Sequence, residues 1–189
     1  DEDGYVLIVH EALLAAGLAW AESLRRSLWS PAVLGISPKV VAADGRVDHC
    51  GLALAPNGHW LMPLRGLAAD DPAYGAYGAV GRDVGWLSPV AALLSGRRLR
   101  ELGGFLPGLG VAGALGELGL RARALGLRLV AEGGIRAGGV GQVGALDGYL
   151  VPDDAAQQEM VRRWPGLFCG GDPYYHRSLR EEPPDFGVR

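Results

Sequence analysis

Residues 5–14 read YVLIVHEALL, an apolar run that stops at His10 and Glu11. In many α/β enzymes a strand of this kind delivers acidic residues from its C-terminal end into an active site, so the residue types at His10 and Glu11 bear on whether the chain is an enzyme. Other chemistry-bearing residues give thinner patterns. Gly139–Gly144 fits GxGxxG after a strand, yet residues 145–148 break too early for the helix that should face a pyrophosphate, so the match reads as a decoy. His49, His59 and His176 are too scattered for a metal site and read as hydrogen-bonded strand or loop residues. Ser88 lies in no nucleophile motif, and sequence reveals no electropositive setting for Cys50 or Cys169. Trp60, Trp86, Tyr74 and Tyr77 could line a carbohydrate cleft by ring stacking, although core or hairpin packing is the commoner use of such rings.

These residues depend on the elements that carry them. Tyr5–Val9 is rich in β-branched residues and suits a strand buried on both faces. Leu14, Leu18, Ala21, Leu24 and Leu28 recur at helical spacing, so a helix is predicted from about Ala12 to Leu28, weakened by Gly17 and ended by Ser30-Pro31. Val33–Val41 reads as a strand broken by Pro38, and Asp44-Gly45 supplies a hairpin turn. His49–Ala55 and Trp60–Leu64 are further strands around the turn residues Pro56-Asn57-Gly58, and Val84–Leu94 is a strand bent at Pro89. Ser95 is predicted to cap a short helix to Leu102 with Gly103 behind it, and Leu115–Leu125 forms another helix with Gly126 as its stop. Leu127–Ala131 is a strand, and Asp154 with Gln157 opens the last helix, which Pro165 halts. Strands alternating with helices around a hairpin predict an α/β or α+β protein with a mixed sheet and no internal repeat.

Composition narrows the classes. In 189 residues, 49% hydrophobic content is enough for one domain with a buried core. A net charge of −3 without a basic face argues against a nucleic-acid partner. Two cysteines without metal spacing fit a reducing, cytosolic setting. Glu22 and Ser95 interrupt the longest apolar runs, so no transmembrane segment is expected, and the acidic start at residues 1–3 is the wrong charge for a signal peptide. The immediate entry into a strand reads as a cut piece. Glycine numbers 31, spread through the chain with Ala, Leu and Arg, which reads as a coding bias and not as a low-complexity block.

From Ala43 onward the motifs resemble one family. Asp44-Gly45-Arg46, His49-Cys50-Gly51, Arg65-Gly66, Asp71-Pro72-Ala73-Tyr74, Arg82-Asp83-Val84 and Leu102-Gly103-Gly104-Phe105 follow the order PDGR..HAG, RG, DPGY, RNVSAVTGACLL and GGFDE of rhamnosyltransferase-like family 2 glycosyltransferases. Arg163-Trp164, Asp172-Pro173-Tyr174-Tyr175 and Asp185-Phe186 are similar to the family's RWGDL..DPYYNPNLS..EDF ending. The resemblance runs from about Tyr5 to Phe186. It implies a GT-A-like mixed sheet flanked by helices, with residues 1–42 closing a nucleotide-sugar half, 43–150 forming an acceptor half and 151–189 a C-terminal helix and tail. The first half of the fold would lie before Asp1.

The same comparison implies losses at the catalytic positions. The DxD carboxylates that would hold Mg2+ or Mn2+ against the diphosphate correspond to His10, Glu11 and Ala12. The general-base pair falls on Ala114 and Leu115, leaving Glu117 as the nearest acid. Leu106-Pro107 replaces the aspartate after GGF, Ser88-Pro89-Val90 replaces Thr-Gly-Ala, and the family histidine falls near Arg136. Asp71, Tyr74, Trp86 and Ser88 would line the acceptor side. The expectation is therefore a catalytically degenerate, cytoplasmic module, structural, protein-interacting or glycan-binding, needing no cofactor. The alternative is an active transferase with a nucleotide-sugar donor and a polysaccharide or lipid-linked acceptor; on either reading the expected location is the cytoplasm, including the periphery of the membrane's inner face. Its partners would be a carbohydrate or nucleotide-sugar and either another protein or the missing N-terminal half.

Overall fold

The computed structural model describes residues 4–28, 30–55, 58–73, 76–166, 172–176 and 179. Its strands are β1 (Tyr5–Val9), β2 (Val33–Ala42), β3 (Val47–Cys50), β4 (Ala53–Leu54), β5 (Trp60–Leu61), β6 (Gly81–Asp83), β7 (Ala91–Ser95) and β8 (Arg128–Val140). The helices are α1 (Ala19–Ser27), α2 (Gly96–Glu101), α3 (Gly110–Ala124), α4 (Asp147–Leu150) and α5 (Asp154–Arg163), with a 3-10 turn at Glu11–Leu13. The main sheet runs β1-β7-β2-β8-β6, with β3 hairpinned onto β2, and β4 pairs with β5 in a small second sheet. Among the described residues only β2 and β8 pair in parallel; the other neighbours in this sheet are antiparallel. This is the mixed α/β sheet the alternating pattern predicts.

Successive residues of a strand face opposite ways. Accordingly, Leu7 and Val9 of β1 join one apolar layer and Val6 and Ile8 the other, as Ala91 and Leu93 of β7 oppose Ala92 and Leu94. Trp20 and Leu24 of α1 and Met160 of α5 fill the first layer, while Leu99 of α2 packs on the second. No helix among the described residues is long and apolar enough to cross a membrane.

Several boundaries differ from the sequence reading for identifiable reasons. The helix expected from Ala12 starts only at Ala19, because Gly17 takes φ 80° and the preceding segment is a 3-10 turn. Leu14 and Leu18 are consequently exposed. β2 passes through Pro38 without a break, with its register against β8 shifting between Pro38 and Lys39. The expected Val84–Leu94 strand is not continuous, since Pro89-Val90 forms a turn ahead of β7. β8 continues nine residues past Ala131, through Gly133 and Gly134. The cap of α5 is Asp153, whose carboxylate accepts from Ala156 N at 2.8 Å, and not Asp154. Ser95 does cap α2, accepting from Arg98 N at 3.3 Å, and Gly103 has the positive φ its stop position requires. Pro56 and Asn57 of the expected turn, Cys169, and Asp185-Phe186 of the family-like ending lie outside the described residues.

Glycine has a packing role that composition concealed. Along α3, Gly113, Gly116 and Gly119 recur every third residue, and a methyl added at each would meet Ala156 Cβ at 2.8 Å, Trp86 Cζ3 at 2.7 Å and Leu129 Cδ1 at 2.9 Å. Helical glycine carries an entropic cost, offset here by the close approach of α5, Trp86 and β8. Gly85 plays a similar part for residues 172–176: a methyl there would overlap the side-chain carboxylate of Asp172, whose backbone N–H donates to Leu54 O at 3.2 Å.

In an ordinary helix interior, glycine to alanine stabilises by about 0.5–1 kcal/mol. Gly116→Ala should instead destabilise by about 1–3 kcal/mol through overpacking against Trp86, lowering the urea midpoint. A midpoint equal to or above that of the parent would contradict this packing.

Candidate functional site

Strand β1 hands its chain to the site through one ladder bond, His10 N–H to Val90 O at 2.9 Å. The 3-10 turn that follows is anchored by fully buried Leu13 and capped by His10, whose Nδ1 accepts from Ala12 N at 3.2 Å. The His10 ring packs on Tyr149 with centroids 4.4 Å apart and planes tilted by 59°. Glu11 is exposed. A divalent cation of the Mg2+ or Mn2+ type needs several oxygen ligands. Here one nitrogen of His10 is committed to Ala12, its ring is covered by Tyr149, and Glu11 is a lone carboxylate. That donor set does not fit such an ion, and no group of three or more His, Cys, Asp or Glu among the described residues could hold a metal.

The strongest polar constellation lies in the hairpin. Val40 pairs with His49 but Val41 pairs with Val47, so Asp48 is an extra residue in β3. In a regular strand, Asp48 and His49 would project to opposite faces; the bulge turns them together. Asp48 Oδ2 lies 2.7 Å from His49 Nδ1, and His49 Nε2 lies 2.7 Å from Ser88 Oγ, with all three residues fully buried. Ser88 Oγ also accepts from Val90 N at 3.3 Å, and Ser88 N donates to Ser37 Oγ at 2.9 Å. Asp48 Oδ1 accepts from Gly144 N at 2.6 Å. Arg65 Nε donates to the Asp48 carbonyl at 3.0 Å, while Nη1 and Nη2 clasp both oxygens of Asp147 at 3.1 and 2.6 Å.

Burial pushes the His49 imidazole below its ordinary range, against the raising pull of Asp48. Burial acts upward on Asp48, but the His49 hydrogen bond, the Gly144 N–H and Arg65 outweigh it and hold the carboxyl low. The arrangement is thus an ionised Asp48, a neutral His49 donating from Nδ1, and a Ser88 hydroxyl donating to Nε2. Asp–His–Ser is the order of a nucleophilic serine relay. Ser88 is nevertheless sealed from solvent and Val90 N already occupies its oxygen, so no electrophile reaches it in this conformation.

The other sequence candidates are dispersed. Glu117, the acid nearest the expected general-base position, is only 2% exposed. Its Oε2 accepts from Arg121 Nε at 2.8 Å, and Arg121 continues to the carbonyls of Leu102 and Gly104, the latter at 2.7 Å, tying α3 to the end of α2. Trp86 is a core residue, edge-on to Trp60 with ring centroids 4.8 Å apart. Asp71 is exposed and closes a local turn by accepting from Ala73 N at 2.8 Å. Tyr74 lies outside the described residues. The structure therefore brings Ser88 and His10 to one end of the sheet, both through Val90, and adds Asp48, Arg65 and Tyr149, which sequence reasoning did not select. Only the Asp48-His49 adjacency was visible in the sequence, and strand parity argues against using it.

No family model matches the chain. It is similar to the O-antigen biosynthesis protein RfbC of Myxococcus xanthus, 29% identical over 181 residues that cover 90% of this chain and 13% of that protein. The chain thus spans a small fraction of its relative's length.

Two outcomes test the buried network. A histidine held below its ordinary value of 6.5 contributes stability that is whole above that value and is lost as pH falls beneath it, because the unfolded chain takes up the proton first. Asp48, held below 3.8, adds a second loss in the same direction at lower pH. Thermal melts should therefore fall between about pH 7.5 and about pH 5.5, and His49→Ala should flatten that slope. Removing the ring also leaves Asp48 a buried charge without its main partner, so His49→Ala should cost about 3–5 kcal/mol in urea titrations. A neutral variant with an unchanged pH slope would refute the network.

Proposed function

We propose that this chain is a transferase-derived domain of GT-A type from a polysaccharide-assembly protein, in which the positions once used for sugar transfer now serve folding and glycan binding. The likeness to an O-antigen biosynthesis protein supports the polysaccharide setting. The mixed sheet flanked by helices is compatible with the family's architecture. The observation that carries the reading is the fate of Glu117, the one acid near the general-base position. It is buried and ion-paired to Arg121, which leaves it without access to an acceptor hydroxyl.

The active-transferase reading draws on one feature, the exposed Glu11 carboxylate at the end of β1. On that reading Glu11 would hold Mg2+ or Mn2+ against a sugar-nucleotide diphosphate. Calorimetric titration with UDP-, GDP- and dTDP-sugars in the presence of Mn2+ or Mg2+ separates the two. We expect no saturable, metal-dependent binding up to millimolar concentrations, on the order of −4 kcal/mol. Metal-dependent saturation by any of these donors, lost in Glu11→Gln, would replace the degenerate reading with the active one.

A further inference from the structure

Tyr149 is a large aromatic side chain left 57% exposed at the end of the sheet where β1 delivers His10. It is held there firmly. Its helix α4 is anchored from below by Leu150, which is 1% exposed, and from the side by the Arg65 clasp on Asp147. The loop before it is tied to the buried Asp48 through Gly144 N. One face of the Tyr149 ring rests on His10. The side chain also lines a groove of about 310 Å3 formed with Val111 and Ala112 at the start of α3 and with Pro152 and Asp153 before α5. That volume lies at the low end of the roughly 300–1,000 Å3 typical of small-ligand sites.

The groove's chemistry selects its occupant. An exposed aromatic ring beside aliphatic Val111 and Pro152 offers a surface for the C–H face of a pyranose, with polar groups at its margin to fix orientation. His10 backs the Tyr149 ring from outside the groove, with its Nδ1 held by Ala12 N at 3.2 Å. Asp153 caps α5 with Oδ1 and keeps a second carboxylate oxygen as an acceptor. Sugar hydroxyls donate, so they match this acceptor. The Asp153 carboxylate opposes an acidic sugar by like charge. Because α4 is pinned before any ligand arrives, little ordering cost attends binding.

We propose that Tyr149, backed by His10, is the stacking platform of a binding site for a neutral pyranose residue of a glycan, seated in the groove between α4 and the start of α3. The site rests on the glycan-binding reading above and specifies it. A residue standing where the resembled transferases place a metal-holding aspartate here supports an aromatic seat for sugar.

Saturation-transfer NMR on the whole chain, with the methyl glycosides of glucose, mannose, galactose and rhamnose as probes, tests it. At least one of them should receive saturation at its ring C–H protons, with a dissociation constant on the order of millimolar. Tyr149→Ala should weaken that binding at least about ten-fold, Tyr149→Phe should stay within about two-fold, and glucuronate should bind several-fold more weakly than the neutral glycosides. The exposed position predicts that Tyr149→Ala melts at the parent temperature, so a loss of binding is not a loss of fold. No transfer to any of these glycosides, or equal affinity in parent and Tyr149→Ala, would overturn the site. Failure of the wider functional reading is seen separately, as metal-dependent binding of a nucleotide-sugar by the parent and Tyr149→Ala alike.

Discussion

One extra residue in a β-hairpin governs how this end of the molecule is built. The bulge between β2 and β3 places Asp48 and His49 on the same side of their strand, and from there the polar chain reaches Ser88, Ser37, Gly144 and Arg65. Burying a carboxylate costs several kcal/mol in effective terms, and replacing such networks by apolar residues is often neutral or stabilising. Their physical effect is specificity: every donor and acceptor has one arrangement in which it is satisfied. The hairpin, the turn that precedes β7 and the loop that carries α4 are thereby fixed against one another.

Function follows from which polar groups are closed and which stay open. The side chains with the most reactive potential, His49, Ser88 and Glu117, are buried and bonded within the protein. What remains accessible at the end of β1 is a half-buried histidine, a solvent-facing glutamate and an exposed tyrosine on a rigid mount. In the account proposed here, that surface recognises a sugar by shape and hydrogen bonding without activating it. The sealed network contributes indirectly, because Asp48 and Arg65 set the position of the helix that bears Tyr149.

Much of the fold was legible in the sequence wherever a local rule sufficed. The Asp44-Gly45 turn, the Ser95 cap and the Gly103 stop stand where their chemistry puts them, since each depends on a few neighbouring backbone groups. Features set by distant partners were not legible. β8 runs to Val140 because β2 lies beside it, although Gly133, Gly134, Gly138 and Gly139 give it no strand-like pattern. The glycines of α3 looked like a compositional habit until Trp86, Ala156 and Leu129 were seen against them. At the candidate site, the type of residue at His10 and Glu11 was readable, whereas the pairing of Asp48 with His49 was hidden by a bulge that no turn residue announces. Tyr149 escaped notice for a related reason: a tyrosine in a four-residue helix gains meaning only from the ring beneath it and the groove beside it.

His49 is a neutral, internally bonded ring that holds this end of the protein together. Long-range proton–nitrogen NMR of the imidazole measures this directly. The expected result is a single neutral tautomer that carries its proton on Nδ1, stays neutral as pH falls through the ordinary histidine value of 6.5, and exchanges that proton slowly with water. A His49 ring that titrates at the ordinary histidine value, or whose N–H exchanges as freely as an exposed imidazole, would contradict it.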